Sequence, residues 1–131
     1  MGITREDYFA RNGVADWIVH LCSHQAWEDA LATGNYQAAS LASEGFIHCS
    51  RPDQILAVAN AFYHGLAGLS LLWIDPLLVT PEVRWEPVDK QVFPHLYGPL
   101  NLDAVAAELR PILLPPSSAL VFLSSVVPED A

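Results

Sequence analysis

Basic residues are scarce. Six Lys and Arg stand against fifteen Asp and Glu, a formal charge of −9 with the five histidines neutral. Non-specific nucleic-acid binding needs Lys and Arg to displace counterions, and an anionic bilayer attracts the same residues, so both partner classes are excluded. One small anionic ligand held by local donors remains compatible with that balance. Cysteine is scarce too, with Cys22 and Cys49 alone. A chain of 131 residues buries about two thirds of its unfolded surface and needs no disulfide, so both are expected to be reduced thiols in a cytoplasmic setting. No apolar run reaches the ~18 residues of a membrane helix, and the longest candidate, Leu66 to Thr80, is broken by Asp75-Pro76. Met1 to Asp16 carries acidic residues and no apolar stretch, unlike a signal peptide. Repeats, charge blocks, a Gly-x-Ser-x-Gly elbow, a phosphate loop and a glycine-rich dinucleotide fingerprint are all lacking.

What is present is a core. Hydrophobic residues make up 52% of the chain, charged residues 16%, and mean hydropathy is +0.25, which excludes a disordered or fibrous protein. Trp17 to Cys22, rich in large and β-branched residues, predicts a strand. Alternation sets Ile18, His20 and Cys22 on one face and Trp17, Val19 and Leu21 on the other. Ser23 as N-cap and Gly34 as stop bracket a helix whose stripe is Trp27, Ala30 and Leu31. Asn35 to Ser43 reads as a loop with local turns. Glu44 to Ser50 predicts a second strand, with Phe46, His48 and Ser50 on one face and Cys49 beside Ile47 on the other.

A helix then follows from Ser50 as cap, Pro52 in the first turn and Asp53 at the capping-box offset, with Ile55, Ala59, Phe62 and Leu66 as its stripe and Gly65 at its end. Leu69 to Asp75 reads as a buried central strand. Pro76 and Pro81 bound a loop. Val83 to Glu86 is a short strand with Arg84 and Glu86 on one face, and Phe93 to Pro99 is extended by its prolines, with Phe93, His95 and Tyr97 on one face. Asn101 is expected to cap a short helix through Leu109, stopped by Pro111. Pro115 to Ser118 breaks the chain before an apolar segment, Ala119 to Val127, which reads as either an edge strand or a tail docked on a partner. Strands and helices do not alternate regularly, so one α+β domain is expected over 15–114. An arm spans 1–14, and 115–131 docks on the same domain or on a partner, with a homo-oligomer through 119–127 as one outcome.

Three histidines, His20, His48 and His95, fall in strand-like apolar segments. A buried imidazole must be hydrogen-bonded, so each by itself reads as a satisfied core residue; together they point to one cleft. Three imidazoles also offer a zinc site and a metal-dependent hydrolase, although their spacing matches no compact ligand motif. Cys49 before a helix N-terminus is either a dipole-activated nucleophile or a small buried hydrophobe, and Cys22 with His24 is a weaker pair. Arg84 and Glu86 offer an anion-binding guanidinium and a carboxylate that stabilises positive charge. Tyr97 adds a hydroxyl and a stacking face.

Together, Trp-Ile-Val-His-Leu at 17–21, Glu-Gly-Phe-Ile-His-Cys-Ser at 44–50, Gln54 with Ala59-Asn60, Leu-Leu-Trp-Ile-Asp at 71–75, Val-Arg-Trp-Glu at 83–86 and Phe-Pro-His-Leu-Tyr-Gly-Pro-Leu at 93–100 resemble a small bacterial family, the domain-of-unknown-function family 952. The resemblance spans residues 15 to 110 and brings no established activity. It implies a fold like that of ADP-ribosyltransferases, a split α+β domain clamping NAD as substrate between two small sheets. On that implication His20 matches the first-strand histidine that positions the ribose. His48 or Ser50 matches the second-strand position, and Glu86 or His95 the late carboxylate position. Ser50, Arg84 and Tyr97 are expected to help hold the ligand. Two functions stay open: an NAD-processing enzyme acting at a ribosyl carbon, and a non-catalytic module for a small molecule or a partner protein.

Overall fold

A computed structural model describes residues 17–110, 112–114 and 119–121. The expected arm at 1–14 and most of 115–131, with its docking or self-association, lie outside the described residues. The elements in chain order are β1 (Ile18–Ser23), α1 (His24–Thr33), β2 (Asn35–Tyr36), α2 (Ala39–Glu44), β3 (Ile47–His48), α3 (Ile55–Phe62), β4 (Leu69–Ile74), β5 (Glu82–Val88), β6 (Gln91–Tyr97), β7 (Leu100–Asn101), a 3-10 turn (Leu102–Ala104), β8 (Val105–Leu109), β9 (Ile112–Leu114) and β10 (Ala119–Val121). The molecule is α+β, and every described strand pairing is antiparallel.

Two three-stranded sheets carry the domain, one ordered β1-β4-β8 and the other β3-β6-β5. The apolar run of β4 earns its central place, since Leu69, Leu71, Leu72 and Ile74 are all buried. The two faces of β1 divide the core as alternation predicts. Ile18 and Cys22 pack with Ala30 of α1, Ile47 of β3 and Leu96 of β6. Val19 and Leu21 pack with Leu69, Leu71 and the Ile55 and Ala59 stripe of α3. The first sheet is therefore covered by α1 on one face and α3 on the other. Ser23 caps α1, its hydroxyl accepting from the Ala26 amide at 3.0 Å, and Gly34 ends it at φ 100°.

Several expectations are corrected. Residues 35–43 are not a loop: they hold β2 and most of α2, which Gly45 ends in the left-handed region at φ 92°. Glu44 therefore closes a helix, and the second strand shrinks to β3. Ser50 caps no helix, because α3 begins at Ile55 and the Ser50 backbone instead pairs with Val19. Asp53 is drawn off to the Arg51 guanidinium at 2.9 Å, and the Gln54 side chain accepts from the Arg51 amide. Helix α3 stops at Phe62, before Gly65.

The expected helix from Asn101 to Leu109 is a 3-10 turn followed by strand β8. Asn101 spends its side chain across the chain, accepting from the Thr80 amide and donating to the Leu78 carbonyl, both at 2.8 Å. The following residues complete the far side of β4, with Leu109 opposite Leu71 and Ala107 opposite Trp73.

Candidate functional site

The two sheets meet at one point. The Val19 amide donates to the Ser50 carbonyl at 2.9 Å, and the Ser50 amide donates back at 2.8 Å. That exchange sets which way the β1 backbone faces: in an antiparallel ladder alternate residues bond to the same side, so the amide and carbonyl of Leu21 face outward as those of Val19 do. One more rung would put Leu21 opposite His48, but the ladder stops. The His20 ring stands in its place, and Nδ1–H donates to the His48 carbonyl at 2.5 Å. An imidazole thus props the sheets apart. Beyond it opens a cleft of about 680 Å³, lined by His20, Leu21, Tyr36, His48, Ser50 and His95 among others, with Ile55, Val58, Phe62 and Tyr63 from the α3 side and Val88 and Phe93 from the hairpin. Among the described residues the Leu21 amide and carbonyl find no ladder partner on this edge.

The three histidines converge as the sequence predicts, yet in different states. His20 has both nitrogens engaged, since Tyr36 donates its hydroxyl to Nε2 at 2.8 Å. Burial pushes its pKa down to about 4, against a smaller upward pull from the His48 carbonyl, so the ring is neutral. His48 keeps a half-exposed ring paired with Glu44 at 3.0 Å. His95 is buried, stacked on Phe46 at 4.2 Å between centroids, and edge-on to His48 at 5.3 Å. Its Nδ1–H donates to Glu86 Oε1 at 2.7 Å, while Nε2 has no hydrogen-bond partner among the described residues.

Register explains the rest. Arg84 lies opposite His95 and Glu86 opposite Phe93, so their side chains share one face of the β3-β6-β5 sheet with Tyr97. Tyr97 donates to the same Glu86 Oε1 at 2.6 Å, and the Arg84 guanidinium lies 4.1 Å over the Tyr97 ring while donating to Glu82 at 3.0 Å. The Tyr97 and His95 bonds hold the Glu86 carboxyl below its ordinary range. Of the predicted site residues, His20, His48, Ser50 and His95 line the cleft. Glu86, Arg84 and Tyr97 stand behind His95 and connect to the cleft through it.

Cys49 is corrected. It is buried beside the core, its thiol is pushed up by burial alone, and α3 begins too far downstream to activate it. Cys22 does not pair with His24: burial raises its thiol to about 11. The His24 ring instead donates through Nδ1 to Ser70 Oγ at 3.0 Å and accepts at Nε2 from Arg110, also at 3.0 Å. Ser70 and Arg110 both donate to Glu108, tying α1 to β4 and β8. Among the described residues no group of three or more His, Cys, Asp or Glu is arranged to hold a metal ion. Two participants escape sequence reasoning, Tyr36 and the Leu21 backbone. Tyr36 sits on a two-residue strand with no pattern to mark it, and the free edge at Leu21 exists only because a ladder stops.

The profile described as "Protein of unknown function (DUF952)" matches residues 21–108. The chain belongs to the DUF952 family. Among solved structures, crystallised protein CC0527 from Caulobacter crescentus is similar, with 29% identity, a TM-score of 0.75 and coverage of 81% of this chain and 94% of that one. A crystallised double mutant of CC0527 gives a TM-score of 0.74 with the same identity and coverage. The solution structure of CC0527 gives 31% identity and a TM-score of 0.67 over 79% of this chain and 90% of that one. None of the curated proteins compared matches the chain. No helix among the described residues is long and apolar enough to cross a membrane.

Proposed function

We propose that this DUF952 cleft binds the nicotinamide end of a dinucleotide such as NAD, in an ADP-ribosyltransferase-like arrangement, for transfer or hydrolysis at the ribosyl carbon. The observation that carries this reading is the Leu21 edge. An amide and a carbonyl of one residue, facing a mostly apolar cleft without a ladder partner, call for a ligand that both accepts and donates within one short planar group. A primary carboxamide has that pattern. Tyr63 and Phe93 on the cleft walls suit a flat aromatic ring, and the Glu86 carboxylate behind His95 favours the positive charge of a pyridinium and of an oxocarbenium-like transition state.

Titration by heteronuclear NMR tests it. Nicotinamide, NAD and ADP-ribose are expected to shift the amide signals of Leu21 and Ser50. Acetylpyridine, neutral but without the amide donor, should bind about tenfold more weakly than nicotinamide, because the Leu21 carbonyl is left unpaired. Silence at millimolar nicotinamide and NAD sinks the proposal. A non-catalytic module is the second reading. Phe62, which lines the cleft and is 77% exposed, favours a partner surface there.

A further inference from the structure

We propose that His95 Nε2 is the proton acceptor of this cleft, held in that tautomer by Glu86, and that it deprotonates the water or hydroxyl that attacks the ribosyl carbon. The inference rests on the nicotinamide reading above and adds the residue that performs the proton transfer.

The assignment follows from an inventory of the groups around the cavity. His20 cannot accept a proton without losing a bond, because Nδ1–H is committed to the His48 carbonyl and Nε2 takes the Tyr36 hydroxyl. Both cysteines are buried, and burial holds each thiol in its protonated form. Burial does the same to the Tyr36 phenol. The His48 ring pairs with Glu44 through Nε2, which leaves its Nδ1 as an acceptor too, but that ring and its carboxylate are both half-exposed, whereas the His95 ring is buried. The Glu86 carboxylate does not line the cleft, and its Oε1 already accepts two hydrogen bonds.

His95 remains. A carboxylate oxygen at 2.7 Å only accepts, so Nδ1 carries a proton, and in the neutral ring the lone pair lies on Nε2. The ring borders the cleft and is held flat by Phe46. Tyr97 fixes the carboxylate from its other side at 2.6 Å, and the Arg84 guanidinium covers Tyr97. Glu86 and Tyr97 are positioning residues here; they act on the substrate only through the imidazole.

The step balances. Nε2 takes the proton of the attacking O–H, and the oxygen lone pair forms the new bond to the ribosyl carbon. The carbon–nitrogen bond breaks, and its electron pair neutralises the pyridinium, so nicotinamide leaves uncharged. The imidazolium then returns its proton to solvent.

Long-range nitrogen–proton NMR on labelled histidine, together with NAD turnover, tests the proposal. His95 is expected in the Nδ1–H tautomer, and Glu86→Gln is expected to populate the Nε2–H form. His95→Gln, which keeps a polar group of similar reach, should lower turnover about 100-fold while nicotinamide binding stays within about threefold. Glu86→Gln should lower turnover by a similar factor, and Tyr97→Phe by less than about tenfold. A wild-type Nε2–H tautomer overturns the proposal. So does unchanged turnover in His95→Gln with binding intact, an outcome that leaves the nicotinamide reading standing. Absence of nicotinamide binding in the wild type removes that reading and the ribosyl step with it.

Discussion

Tyr36 and His20 form the most exposed weakness of this site at the residue scale, because the buried His20 Nε2 depends on the Tyr36 hydroxyl as its hydrogen-bond partner among the described residues. Removing the Tyr36 hydroxyl leaves His20 Nε2 buried without its donor. Tyr36→Phe is expected to lower unfolding free energy by about 1–3 kcal/mol in urea titration; an unchanged midpoint would refute the bond. His20 also makes stability depend on pH. Its folded pKa is about 4, below the ordinary 6.5. Between those values the unfolded chain binds a proton that the folded chain does not, so stability present at neutral pH is lost as pH falls through 6.5 toward 4. The loss is on the order of 3 kcal/mol when complete. His20→Gln, which has nothing to titrate, should flatten this part of the stability profile; an equally steep fall in the variant would assign the loss elsewhere.

At the scale of elements, the hairpin between β5 and β6 turns through two residues in the left-handed region, Asp89 at φ 48° and Lys90 at φ 71°. Two-residue hairpin turns of this kind favour glycine at the second position. Lys90→Gly is therefore expected to raise stability by a few tenths to about 1 kcal/mol, read as a higher midpoint in thermal unfolding. At Gly98, between β6 and β7, an added Cβ would come within 2.9 Å of Pro81 Cβ. Gly98→Ala should cost about 1–3 kcal/mol as the loop is pushed from the strand end; no loss would mean the loop yields freely. Elements with a repeated pattern were legible in the sequence: the alternation of β1, the apolar run of β4, and the Ser23 and Gly34 bounds of α1. The stretch from Asn101 to Leu109 was not. Its cap residue and helix-tolerant alanines are locally sound, but the open side of β4 needs a strand and the loop at 78–80 needs the Asn101 amide. Tertiary demand outweighed a propensity worth only tenths of a kcal/mol per residue.

For the whole molecule, the charge of −9 acts on any anionic ligand before contact. ADP-ribose should bind about two- to threefold more tightly at 150 mM salt than at 10 mM, because the screening length falls from about 30 Å to about 8 Å. Nicotinamide, being neutral, should show no such change. Equal salt dependence for both ligands would mean that the field at the cleft does not follow the net charge.

Composition, alternation and capping were enough to determine an α+β domain and the two faces of β1, and to single out three imidazoles in apolar segments. Those properties depend on neighbours a few residues apart, and such neighbours are written in the chain. The sequence could not say that a ladder ends after Val19 and Ser50, that Leu21 keeps an open edge, or that Tyr36 closes the ring of His20 while Glu86 leaves His95 Nε2 available. These are matters of which backbone group or lone pair remains once segments far apart in the chain have paired, and only the packed sheets decide that.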